Sequence, residues 1–356
     1  MPAIRVLVVD DSALIRQMLT HALSLDPRIE VVGIARNGVE AVERVRDLHP
    51  DVVTLDVQMP EMDGLDALRY IHRDSQARVL MLSSMDDPDT TYQALSAGAV
   101  DFIPKPKQGF ATSLSELSDY LIKKIKTAYR ISPEKRRAAG AASRGATNLI
   151  MPAVLLPPGS MQDPQRIVAL AASTGGPPAL EEVFSGLPGD VSAAYVVVQH
   201  LPAGFTASLA RRLGRISGIS VVEAENGMRV EAGSAYMAPH GTHMRVEGRP
   251  GRLTRLVLED GPNLHGVKPS ADPLFESAAA DFGAKATGVV LTGMGSDGAR
   301  GLLAIKDAGG RTIAQDEATS TVWGMPGAAV KLGAAQVVVP LERVATEVRR
   351  SVREGL

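Results

Sequence analysis

Two doubly wound parallel-sheet α/β domains, the second with an antiparallel β-hairpin extension, are the fold class that the 356 residues predict. Three observations carry this. Short β-type runs alternate with helical patterns along most of the chain. The strongest of these runs, 167–172, is continuously apolar, as strands buried on both faces are. Between about Ser132 and Pro164 the periodicity stops and alanine, glycine and proline take over, the composition of an exposed connector. The expected division is a first domain at 1–125, a linker at 126–164 and a second domain at 165–356.

In the first domain, residues 4–9, 31–35, 52–55, 79–82 and 100–103 read as strands. Helical periodicity fills 13–25, 38–48, 64–73, 90–97 and 114–129. The polar residues gather where strands end: Asp10 and Asp11 after the first, Asp56 after the third, Ser83 and Ser84 after the fourth, Lys105 after the fifth. Any one of these aspartates would serve as a helix cap or turn former. Several carboxylates converging on one sheet edge, however, repel one another unless a cation neutralises them. A site of oxygen ligands alone suits Mg²⁺, and the lysine and serine beside it could hold phosphoryl oxygens.

In the second domain the strands are expected at 167–172, 195–198, 219–222, 289–292, 312–314 and 337–339. The short, turn-rich runs 235–238, 244–246 and 253–258 suggest the hairpin, added to one edge of the sheet. Three strand ends bear reactive groups. Ser173 follows the first strand and is succeeded by Thr174, Gly175 and Gly176, after which Pro177 and Pro178 open a helix. His200 follows the second strand, and Asp297 precedes the helix after the fourth. A serine hydroxyl becomes a nucleophile when an imidazole takes its proton, and a carboxylate fixes that imidazole's tautomer and stabilises its charged form. Backbone N–H groups near Thr174 and Met294 could supply an oxyanion hole.

Each member has a plainer reading: a tight turn for Ser173, a helix N-cap for Asp297, a structural role for His200. Gly293-Met-Gly-Ser-Asp-Gly298 also satisfies the dinucleotide pattern G-x-G-x-x-G, with Asp316 near the position of a ribose-binding acid. Against it, the carboxylate of Asp297 would occupy a helix N-terminus that a pyrophosphate needs. A standard α/β-hydrolase fits poorly, because Ala171-Ala-Ser-Thr-Gly175 lacks the first glycine of G-x-S-x-G and the order Ser, His, Asp differs. His240-x-x-His243 falls in a turn without the carboxylate of a zinc motif.

Composition narrows the classes further. A 45% hydrophobic, 22% charged chain of net charge −2 is an ordinary globular protein with no sign of a nucleic-acid partner. The absence of cysteine excludes disulfides, thiol catalysis and cysteine-ligated metals. The apolar run at Met1 is too short for a signal peptide, and none reaches the roughly 20 residues of a membrane span. A cytoplasmic protein without membrane insertion is expected.

Val8-Val-Asp-Asp-Ser12, Leu55-Asp-Val-Gln-Met-Pro-Glu-Met-Asp-Gly64, Met81-Leu-Ser-Ser84 and Asp101-Phe-Ile-Pro-Lys-Pro106 resemble the signatures of two-component receiver domains. Ala172-Ser-Thr-Gly-Gly176, Val198-Gln-His-Leu201, Phe205-Thr-Ala-Ser-Leu209, Tyr236-Met-Ala-Pro239, Pro269-Ser-Ala-Asp-Pro-Leu-Phe275, Leu291-Thr-Gly-Met-Gly-Ser-Asp-Gly298 and Gly324-Met-Pro326 resemble the catalytic domain of chemotaxis protein-glutamate methylesterases. Together the two resemblances span nearly the whole chain outside the linker. They imply Asp56 as phosphoacceptor for a histidine kinase, Asp10, Asp11 and Asp56 as Mg²⁺ ligands, Ser83 and Lys105 as phosphoryl contacts and Phe102 as the aromatic switch. They imply Ser173 as nucleophile, His200 as base, Asp297 as its orienter, Thr174 and Met294 beside the oxyanion, and no cofactor in the catalytic domain. The implied substrate is a glutamyl methyl ester, or a glutamine amide, on the cytoplasmic helices of methylated chemoreceptors. The receiver is expected to cover the active site until it is phosphorylated. His240 stands where the family pattern has glycine.

Overall fold

The structure is a computed structural model that describes residues 2–84, 88–105, 114–132 and 162–353. Pro106 and residues 133–161, most of the expected linker, lie outside the described residues. The chain divides into two compact units, Met1–Thr147 and Asn148–Leu356.

In the first unit β1 (Ile4–Val9), α1 (Ala13–Ser24), β2 (Ile29–Ala35), α2 (Gly38–Leu48) and β3 (Val52–Asp56) are followed by α3 (Gly64–Asp74), β4 (Arg78–Ser83), α4 (Pro88–Ser96), β5 (Asp101–Pro104) and α5 (Leu114–Tyr129). Three helices begin where a polar side chain can accept an otherwise unpaired amide: Ser12 from Ile15, Asn37 from Glu40 and Asp63 from Asp66. The strands pair in parallel in the order β2-β1-β3-β4-β5. The chain leaves β1 toward one edge and returns to β3 on the other side. The crevice at the carboxyl ends of β1 and β3 is the position where open α/β sheets take ligands.

The second unit comprises β6 (Arg166–Ala172), α6 (Gly176–Ser185), β7 (Ala193–Gln199), α7 (Thr206–Ser217), β8 (Ser220–Glu223) and β9 (Ser234–Met237). Then come β10 (His243–Glu247), β11 (Arg255–Glu259), α8 (Ala271–Phe282) and β12 (Ala286–Val290). The last elements are α9 (Ala299–Asp307), β13 (Arg311–Gln315), α10 (Met325–Lys331), β14 (Val337–Val339) and α11 (Leu341–Arg353). Seven strands form one sheet in the order β14-β13-β12-β6-β7-β9-β8, and every pairing is parallel. Strand β6 is central, and it too lies at a reversal of strand order.

The hairpin is present as β10 and β11, paired antiparallel, but as a two-stranded sheet of its own and not on the edge of the main sheet where it was expected. The run 235–238, read from sequence as part of the hairpin, instead forms most of β9 and joins the main sheet in parallel with β7 and β8. Burial explains the difference. Ala235, Tyr236 and Met237 are buried in succession, as a strand covered on both faces requires. The hairpin has one apolar face, and Met244, Val246 and Leu256 pack it into the core with Leu274, Phe275 and Ala278 of α8. Two side chains of α8 fasten its backbone: Val246 N donates to Ser277 Oγ (3.0 Å) and Gly248 N to Asp281 Oδ2 (2.9 Å).

Strands β6 and β7 hold their ends in place by packing. Ile167, Val168, Leu170, Val196, Val197 and Val198 are fully buried, each contributing about 1.5–3 kcal/mol through burial. An exposed ion pair such as Arg69–Asp66 contributes about 1 kcal/mol at most. Among the described residues, no helix is long and apolar enough to cross a membrane.

Candidate active site and phosphoacceptor site

Adjacent parallel strands β12, β6 and β7 deliver Asp297, Ser173 and His200 to one sheet edge. Ser173 sits in a tight turn between β6 and α6. Its N–H donates to the Thr292 carbonyl (3.0 Å), and its own carbonyl accepts from Gly176 N (2.7 Å). The same carbonyl accepts from Nε2 of the buried Gln199 (2.9 Å), which also reaches the His200 carbonyl (3.2 Å). At Gly176 the backbone approaches that amide so closely that a Cβ would lie 1.9 Å from Gln199 Oε1. Gly176→Ala is therefore expected to destabilise the second unit by about 1–3 kcal/mol, read as a lower midpoint in urea unfolding of the full chain.

The backbone N–H of His200 donates to the Ala172 carbonyl (3.1 Å), which sets the histidine one strand from the serine. Its Nε2 meets Oδ2 of Asp297 at 2.8 Å. Ser173 Oγ has no hydrogen bond to His200 among the described residues; such contacts are often long in ligand-free enzymes and tighten with substrate. With Nε2 committed to the carboxylate, Nδ1 is the ring nitrogen left for a serine proton.

Asp297 is buried and held on both oxygens. Oδ1 accepts from Ser270 Oγ (2.5 Å) and Oδ2 from Ala271 N (2.8 Å) as well as from His200. Burial pushes its carboxyl up, but the bonds and charge of His200 and the bonds from Ser270 and Ala271 outweigh that and hold it below its ordinary value. From sequence this carboxylate is expected at the start of the helix that follows it. The structure places it at the N-terminus of α8 instead, where the helix dipole favours an anion. The N-cap of helix α9 is Gly298, which offers no side-chain cap.

The remaining sequence candidates separate clearly. Thr174 is buried, its carbonyl bonded to Thr292 Oγ1 (3.0 Å). Met294 follows Gly293, where a Cβ would stand 2.8 Å from Ser173 Cβ; this close approach brings the 293–294 backbone to the serine. Asp316 Oδ1 accepts from Thr319 N (2.9 Å) and Thr319 Oγ1 (2.7 Å), closing a turn. His243 uses both ring nitrogens, toward Pro262 O and Ser270 N, while His240 Nδ1 bonds Leu201 O (2.9 Å). His265, Asp272 and Asp297 lie within 4.8 Å of one another. The carboxylates there face donors: His265 Nε2 (2.8 Å) and Gly301 N (2.8 Å) on Asp272, with the donors already named on Asp297.

In the first unit Lys105 Nζ bridges Asp10 Oδ2 (2.8 Å) and Asp56 Oδ2 (2.6 Å). Oxygens of Asp10, Asp11 and Asp56 lie within 4.8 Å of one another, Asp11 exposed and the other two buried. Burial, together with the charge of Asp10, pushes the Asp56 carboxyl up to about 6 against the opposing pull of Lys105. Burial lowers the Lys105 ammonium, and its bonds to Asp10 and Asp56 more than offset this and raise it. One lysine thus leaves the aspartates with excess negative charge, and the all-oxygen donor set fits Mg²⁺. Ser83 Oγ donates to the Ser84 carbonyl (3.0 Å) and shares a hydrogen bond with the Thr91 hydroxyl. Phe102 is buried on β5.

A family model described as CheB methylesterase matches residues 168–348, and a response regulator receiver domain model matches residues 6–111. The chain is 47% identical over 355 residues, 98% of it and 94% of the relative, to a protein-glutamate methylesterase/protein-glutamine glutaminase of Pyrococcus horikoshii. The chain belongs to the CheB methylesterase family. Another relative, a protein-glutamate methylesterase/protein-glutamine glutaminase from Xanthomonas campestris pv. campestris, is 48% identical over 346 residues, 96% of this chain and 95% of that one. The CheB methylesterase catalytic domain of Thermotoga maritima aligns with a TM-score of 0.50 at 38% identity, covering 51% of this chain and 96% of that domain. Within this CheB-type methylesterase, Gln199, Ser270 and Thr292 join the site without a sequence signal that marks them for it. Pro269-Ser-Ala-Asp272 signals a helix N-cap, but nothing local says that the capping serine reaches a residue 27 positions away.

Proposed function

We propose that the chain is a phosphorylation-activated serine hydrolase that demethylates glutamyl methyl esters, and deamidates glutamines, on chemoreceptor cytoplasmic helices. The observation that carries this is the His200–Asp297 pair at the strand end beside Ser173. Ser173 Oγ attacks the ester carbonyl carbon while His200 Nδ1 takes the hydroxyl proton. Asp297 stabilises the resulting imidazolium through Nε2. Backbone N–H groups of Thr174 and Met294 receive the developing oxyanion. The intermediate collapses, His200 returns the proton to the leaving methoxide, and methanol departs. Water, deprotonated by the same imidazole, then attacks the acyl-serine carbonyl; the imidazolium returns the proton to Ser173 Oγ as it leaves, freeing the glutamate side chain and the serine hydroxyl. From a glutamine amide the leaving group is ammonia, and the acyl-enzyme is the same. Compared with chymotrypsin-type triads, the two imidazole nitrogens exchange roles.

In the first unit Asp56 accepts a phosphoryl group from the phosphohistidine of a kinase. Asp10, Asp11 and Asp56 would hold Mg²⁺, which supplies neutralisation of phosphoryl charge when bound. Lys105, already on Asp56, moves its ammonium to a phosphoryl oxygen, and Ser83 contacts the same group after leaving Thr91. Buried Phe102 responds to that rearrangement. Residues 1–125 serve as receiver, 126–164 as linker and 165–356 as the cytoplasmic catalytic domain. Asp56→Ala is expected to leave the unphosphorylated turnover in place and remove its stimulation by a small phosphodonor. Methanol release from methylated receptor membranes, with and without acetyl phosphate and Mg²⁺, checks this; stimulation that survives in the variant contradicts it.

A further inference from the structure

Two buried residues outside the triad are linked to it by a chain of hydrogen bonds. Ser270, fully buried just before α8, donates Oγ–H to Oδ1 of Asp297 at 2.5 Å, the length of a charge-assisted bond. Its backbone N–H donates to Nδ1 of His243 at 3.1 Å. His243, 5% exposed at the start of β10, has Nε2 3.0 Å from the Pro262 carbonyl. An amide N–H only donates and a carbonyl only accepts. Nδ1 of His243 is therefore an acceptor and Nε2 carries the proton, so its partners fix a neutral tautomer. Ser270 also departs from ordinary capping: its hydroxyl lies 3.4 Å from Asp272 N, and its short contact goes to Asp297.

We propose that His243 and Ser270 are positioning residues for Asp297. The neutral imidazole holds the Ser270 backbone, and the Ser270 hydroxyl holds the carboxylate in the orientation that presents Oδ2 to His200. This rests on the triad reading above. Neither residue touches substrate, and both act through Asp297.

Steady-state methanol release by the full chain tests the proposal. Ser270→Ala is expected to lower kcat about 10- to 100-fold with KM unchanged, and Ser270→Thr, which restores the hydroxyl, to recover most of the rate. Two variants divide the functions of His243. His243→Asn places a carbonyl oxygen near the position of Nδ1 and keeps the acceptor for Ser270. His243→Gln places an amide nitrogen near Nε2 and keeps only the bond to Pro262. The Asn variant is expected to retain about tenfold more kcat than the Gln variant; equal losses or the reverse order overturn the proposal. The proton between His200 Nε2 and Asp297 also gives a downfield NMR resonance that needs no turnover. Its shift in Ser270→Ala and return in Ser270→Thr support the positioning chain, even if wild-type protein releases no methanol and the hydrolase reading falls. An unchanged resonance in Ser270→Ala sinks the proposal by itself.

Discussion

Ser173→Ala lowers methanol release from methylated receptors by about 10⁴-fold or more, to the rate left by the remaining site. Removing the hydroxyl removes the acyl-enzyme route. What remains is binding and whatever oxyanion stabilisation can do for attack by water. The size of the effect separates chemistry from folding. Ser173 is only partly buried, and its structural contacts run through its backbone to Thr292, Gly176 and Gln199. Loss of one small hydroxyl there leaves those bonds intact, so urea unfolding of the variant is expected within about 0.5 kcal/mol of wild type. A small loss of turnover, or a large loss of stability, contradicts the assignment.

Asp297→Asn is the second large effect, about 10⁴-fold in kcat by analogy with serine-protease triads in which Asn leaves the imidazole in the wrong tautomer. Here the damage has a second origin. Oδ2 accepts from both His200 Nε2 and Ala271 N, and Oδ1 from Ser270. An amide nitrogen at the Oδ2 position faces the fixed Ala271 N–H donor, and one at the Oδ1 position forces the Ser270 hydroxyl to turn from donor to acceptor, leaving a buried mismatch of about 1–3 kcal/mol. The pH dependence follows from the lowered pKa of Asp297. A carboxylate whose folded value lies below its unfolded value, about 3.9, contributes stability that is fully present above the unfolded value. That contribution is lost as pH falls through the folded value. The stability deficit of the Asn variant therefore narrows as pH drops below about 4, which urea unfolding across pH 3 to 7 reads. A deficit that widens in acid contradicts the ionised, hydrogen-bonded state of Asp297.

Much of the architecture was legible because its signals are local. The apolar run at 167–172 needs no tertiary information to be a buried strand, and Ser173, His200 and Asp56 sit where such strands stop. What escaped was pairing at a distance. Residues 235–238 and 244–246 look alike as short apolar runs, and only their partners separate them: β7 and β8 for the first, β11 and α8 for the second. Asp297 posed the same problem. Its position in sequence points to the helix that follows, whereas its side chain reaches the N-terminus of α8, which precedes it.

The central claim, that Ser173 is a covalent nucleophile activated by His200, is tested most directly by mapping the adduct of an active-serine phosphonate on the full chain. The expected result is a single adduct at Ser173, formed in step with the loss of methanol release and slowed strongly in His200→Ala. An adduct on another residue, or full methanol release from protein fully labelled at Ser173, would contradict it.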